Sequence, residues 1–157
     1  MTHLPPPPVS LALTEMGIPH QVFVHKGPLR SVEQAAAERG QRPEQVVRSI
    51  LFRLAKDEYL MVLMAGPGQI DWKKLRHYLG TNRLTMADKD EVLRVTGYPR
   101  GAVAPVGLAT PLKILIDRSV LEEETISMGS GVRGTGIILQ SADLLKAIDN
   151  YEIGDFG

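Results

Sequence analysis

The chain has 157 residues, 43% of them apolar and 23% charged, which suits one globular domain burying roughly two thirds of its unfolded surface in a single core. It has no cysteine, so disulfides, thiolate nucleophiles and cysteine-ligated zinc are closed to it, and no apolar run approaches the roughly 18 residues of a membrane span. Lysine plus arginine balance aspartate plus glutamate at 18 each, so nucleic-acid contact must be local and no DNA partner is expected.

Met1 to Pro8 has neither a basic start nor an apolar core, so it reads as a proline-rich tether (residues 1–8) rather than a secretion signal, and the chain reads as cytoplasmic. The domain is expected over residues 9–150. Leu11, Leu13 and Met16 ahead of Gly17 predict a short helix, followed by an extended Gln21 to Val24. Ser31 with Gln34 three residues on is a capping-box pattern opening an alanine-rich helix, Val32 to Arg39, which Gly40 ends.

Pro43-Glu44 predicts one short helical turn. Val46 to Leu54 and Tyr59 to Met64, separated by Asp57-Glu58, predict an antiparallel hairpin at the centre of a sheet. Asp71 and Asp88 are placed to cap two amphipathic helices that end at Gly80 and Gly97. Lys113 to Ile116 and Thr135 to Leu139 read as strands, and Ser141 as the cap of a closing helix, Ala142 to Ile148. One strong hairpin without a regular β-α-β rhythm predicts an α+β fold, a mixed sheet with helices packed on it.

The candidate chemistry lies in glycine. Gly129-Ser130-Gly131-Val132-Arg133-Gly134 exposes main-chain N–H groups with little in the way, and reads either as a tight turn or as a cradle for an anion. Gly101 to Gly107, with Val103 and Pro105 inside it, is a second such cluster, and Arg48 interrupts an apolar run where a half-buried guanidinium needs an anionic partner. His3, His20, His25 and His77 are scattered with no metal-ligand spacing, and Ser130 lacks the strand-turn-helix context of a hydrolase nucleophile. No metal and no cofactor is expected.

Three of these motifs in order, Arg48-Ser49-Ile50-Leu51-Phe52, Gly101-x-x-x-Pro105-x-Gly107 and Gly131-Val132-Arg133-Gly134, resemble the YbaK-type aminoacyl-tRNA deacylases, a family similar to the editing domain of bacterial prolyl-tRNA synthetases. The resemblance runs from about Val9 to Ile148. It implies a largely antiparallel mixed sheet curled as a half-barrel, and hydrolysis in trans of the ester joining a wrong amino acid to the 3' acceptor end of a tRNA. A synthetase would be a further partner.

On that resemblance Arg48, Gly129, Ser130 and Gly131 frame the scissile ester, and Gly101, Val103, Pro105, Gly107, Arg133, His25 and Lys26 bind substrate. An aminoacyl ester is activated, and the neighbouring ribose hydroxyl can position water, so main-chain amides and one cation suffice without a side-chain nucleophile. The family carries lysine at the position of Arg48, which leaves a non-catalytic tRNA-end or nucleotide-binding module as the alternative.

Overall fold

The computed structural model describes residues 5–157. Helix α1 (Pro8–Glu15) starts at the last residue of the proline run, where a fixed φ and a missing N–H cost a helix nothing. The expected tether therefore merges into the fold: Pro7 is already buried.

Strand β1 (Gln21–Val24) leads to α2 (Val32–Glu38), whose Ser31 cap accepts from the Gln34 N–H at 3.0 Å. Gln34 reaches back to the N–H of Arg30 rather than of Ser31, so the box closes one residue early. A 3-10 turn (Pro43–Gln45) precedes β2 (Val47–Ala55) and β3 (Glu58–Ala65), the expected hairpin. Asp57 takes a left-handed conformation (φ 60°) in its tight turn.

Then follow α3 (Trp72–Leu79), β4 (Thr85–Met86), α4 (Lys89–Thr96), β5 (Lys113–Asp117), a 3-10 turn (Arg118–Leu121), β6 (Thr125–Gly129), β7 (Thr135–Gln140), α5 (Ser141–Lys146) and β8 (Tyr151–Gly154). Asp71 and Asp88 cap α3 and α4 as read from the sequence, the latter with a complete box to Glu91. Ser141 is the first residue of α5 rather than its cap, because its hydroxyl donates to the Glu124 carbonyl.

The strands form two sheets, β1-β7-β6 and β4-β2-β3-β5-β8. Only β3–β5 and β5–β8 are parallel, so the fold is α+β with largely antiparallel pairing and no closed barrel. A lone parallel bridge, Val46 to Ser127, joins the two sheets.

The main core joins the two sheets, with Val47, Leu51, Met61 and Leu63 in one cluster with Ile126, Met128, Val103 and the buried residues of α1. The alternate residues Phe52, Leu60, Val62 and Met64 pack under α3 against Phe156. The fold thus extends past residue 150, because β8 pairs with β5 and Phe156 is fully buried. No described helix is long and apolar enough to cross a membrane.

Candidate active-site cleft

A cleft of about 300 Å³ opens between α2, the start of β2, the Gly101–Val103 loop and the turn joining β6 to β7. Val32, Ala35 and Arg39 line it from one face of α2, as the helical spacing of three to four residues requires. Val47, Arg48 and Ser49 line it from β2, Met128, Gly129, Gly134 and Thr135 from the turn, and Gly101 and Val103 from the loop. Its described lining contains two arginines and no carboxylate.

The two glycine motifs meet there. A side chain at Gly129 would place Cβ 2.4 Å from the Val103 carbonyl oxygen, so glycine alone permits this approach of the two backbones. The Gly131 N–H donates to the Ala102 carbonyl at 2.8 Å and locks the loops together. That amide, expected to face an oxyanion, is spent on the loop contact. Ser130 is buried, its hydroxyl bonded to Val132 and Thr135 inside the turn, so it shapes the turn rather than facing the cleft.

Other expected residues scatter. Pro105 and Gly107 line a separate depression beside Leu112 and Ile148, where the Tyr98 hydroxyl reaches the Val106 and Gly107 carbonyls. The loop from 101 to 107 therefore presents only its first residues to the cleft, and the rest anchor it. Arg133 is exposed and donates to the Arg100 carbonyl at 3.0 Å, and Lys26 is exposed on the loop between β1 and α2.

Arg48 falls on the same face of β2 as Ile50 and Phe52, opposite Val47, Ser49 and Leu51. Its guanidinium turns to the loop after β3, donating to the Gly66 carbonyl at 2.8 Å and to that of Gly68. Burial lowers its pKa from the ordinary arginine value, so its charge is partly stripped of water. The Ser49 hydroxyl is buried with no hydrogen-bond partner among the described residues. Ser49, Gly101 and Val103 also line an adjoining chamber of about 160 Å³, walled by Leu51, Ala87 and Val92.

His25, expected as a direct binder, is not part of the described cleft lining and touches it only through Arg39. Its side chain is fully buried, and Nε2 accepts from Arg39 Nε at 3.1 Å, which fixes the proton on Nδ1, 2.9 Å from Glu38 Oε1. The hydrogen bond from His25 is the main reason the Glu38 carboxyl lies below its ordinary value.

Sequence reading passed over Arg39, which appeared only as the last residue of a helix. Its signal was the spacing from Val32 and Ala35 on the cleft face. The guanidinium donates to Ser127 Oγ at 2.9 Å and lies over Gly136, where a Cβ would come within 2.5 Å of it. Burial lowers the pKa of Arg39 too, against a smaller opposing pull from Glu38.

Residues 26–147 match the aminoacyl-tRNA editing domain family. A proline--tRNA ligase of Thermosipho melanesiensis is 35% identical over 62% of the chain, which spans about a sixth (17%) of that ligase. The uncharacterized protein YwhH of Bacillus subtilis is 33% identical over 73% of the chain and 72% of its own length. A solved structure, described as a proposed trans-editing enzyme for prolyl tRNA synthetase, superposes with a TM-score of 0.86 at 26% identity, over 95% of this chain and 94% of that one.

Proposed function

Because the chain belongs to the aminoacyl-tRNA editing domain family, we propose that it hydrolyses, in trans, the ester between a wrongly attached amino acid and the terminal adenosine of a tRNA. The observation that carries the reading is the cleft itself. It is bordered by two partly buried arginines, and its described lining contains no carboxylate, so it suits a ligand that brings negative charge. The description of the superposable structure as a trans-editing enzyme for prolyl tRNA synthetase supports action on released tRNA, with that synthetase's tRNA as the substrate class.

In this reading the acyl carbon sits in the cleft against the joined Gly101–Val103 loop and Gly129. The substrate's ribose hydroxyl positions the attacking water, and the protein contributes orientation and charge stabilisation. With the Gly131 N–H committed to Ala102, oxyanion donation falls to the amides upstream of it. The adjoining chamber of about 160 Å³ takes the aminoacyl side chain, which favours small amino acids. Arg48 borders the cleft from β2 and, once its guanidinium leaves the Gly66 and Gly68 carbonyls, holds negative charge as the ester breaks.

The test is release of amino acid from a panel of mischarged tRNAs. Cleavage above the spontaneous rate is expected for at least one small amino acid, and none on any tRNA would end the proposal. Arg48→Ala should slow cleavage at least about tenfold, the loss of one charge-assisted contact of ~1.5 kcal/mol in the transition state. A second reading, a module that binds the tRNA end without turnover, draws on the commitment of the Arg48 guanidinium to the Gly66 and Gly68 carbonyls. An inactive protein that gains turnover on Arg48→Lys would favour it.

A further inference from the structure

We propose that Arg39, Ser127 and Gly136 form a phosphate subsite in the cleft, one that takes the phosphate on the 5' side of the terminal nucleoside. The inference rests on the reading of the cleft as a tRNA-end site. Its basis is a half-buried cation held in place with donors to spare. A guanidinium carries five N–H donors. Two are used, on His25 and Ser127, and the rest find no acceptor among the described residues. No carboxylate lies within ion-pair distance of it among those residues.

Removing a charge from water without a counter-ion is costly, and the usual remedy is a bound anion. The surroundings are built to hold the group rather than to neutralise it. Glu38 fixes the His25 tautomer, His25 accepts from Nε, and Ser127 accepts from one terminal nitrogen while donating to Gln41 Oε1 at 2.6 Å. The glycine at position 136 leaves room for the plane of the guanidinium on the inner face of β7. Arg39 lines the cleft with no carboxylate beside it in the described lining; Glu38, behind His25, pulls on it only through space. A planar fork with free N–H pairs matches phosphate oxygens better than a point charge does.

The test is titration of the full chain with AMP and with adenosine at one ionic strength. AMP is expected to bind at least about tenfold tighter, as one charge-assisted bond supplies, and inorganic phosphate to displace AMP but not adenosine. In Arg39→Gln the two ligands should bind alike, while Arg39→Lys keeps part of the preference. Equal affinities in the unmodified protein would overturn the subsite, as would an AMP preference that survives Arg39→Gln. Equal affinities in the unmodified protein overturn the subsite even if Arg39→Gln does not fold, and a folded Arg39→Lys that keeps the full AMP preference would overturn it too.

The trinucleotide CpCpA separates the two sources of the phosphate. Binding tighter than AMP assigns the subsite to a nucleic-acid end, and weaker binding, marking a free-mononucleotide site, would overturn that assignment. None of these measurements depends on turnover. A protein that discriminates AMP through Arg39 yet cleaves no ester would lose the proposed function and keep the subsite.

Discussion

At the scale of single residues, the cleft depends on a chain of polar groups in which each fixes the next. Glu38 is ionised more readily than an ordinary carboxyl because the His25 N–H, and secondarily the Gln34 amide, bonds to its charged form. A carboxyl whose value is lowered on folding contributes stability that is fully present above its ordinary value of 4.5 and disappears as pH falls through the lowered one. Melting temperatures of the parent and Glu38→Gln should therefore differ at neutral pH and converge below the carboxylate range. A gap that stays constant across that range would contradict this account. Only the helical spacing of Arg39 from Val32 and Ala35 was legible in the sequence; Ser127 and Gly136 lie nearly a hundred positions away, and no local pattern announces that meeting. His25 was visible as a candidate, but its tautomer and its indirect role needed both neighbours in place.

At the scale of elements, local chemistry was the reliable guide. Ser31, Asp71 and Asp88 cap the helices they were read to cap, and Gly17, Gly40, Gly80 and Gly97 all take left-handed conformations just past helix ends. The β2–β3 hairpin was legible because its apolar runs flank a turn. The short strands β4, β6 and β8 escaped notice, since two to five residues carry too little periodicity and become strands only beside β2, β7 and β5. The glycine loop was seen, but its purpose was contact between backbones as much as exposure of amides. Gly129→Ala tests this, because the new Cβ would strike the Val103 carbonyl and the Ala102 backbone, neither of which can rotate away. The variant should lose any deacylation and unfold at least about 1 kcal/mol more easily, within the usual range of overpacking costs. Full stability with full turnover would show that the two loops need not touch.

At the scale of the whole molecule, the fold is held from its far end. Phe156 is fully buried against the face of the sheet beneath α3, its N–H donates to Asp117 Oδ1 at 2.7 Å, and its carbonyl accepts from the Asp71 N–H that starts α3. Phe156→Ala should cost about 3–5 kcal/mol in chemical denaturation, the range for deleting a buried aromatic ring, and a cost below 1 kcal/mol would refute this anchoring role. The expected boundary at residue 150 left this out because Tyr151 and Ile153 give too short an alternation to mark a strand, and Phe156 lies beyond it.

One main-chain link, Val46 to Ser127, ties the two sheets together at the cleft. Arg39 and Gly129 stand on one bank of that seam and Ser49 on the other, so any occupant touching both acts as a staple. A ligand that bridged the two banks would add its contacts to that link and to the core shared by both sheets, and so would stiffen the seam.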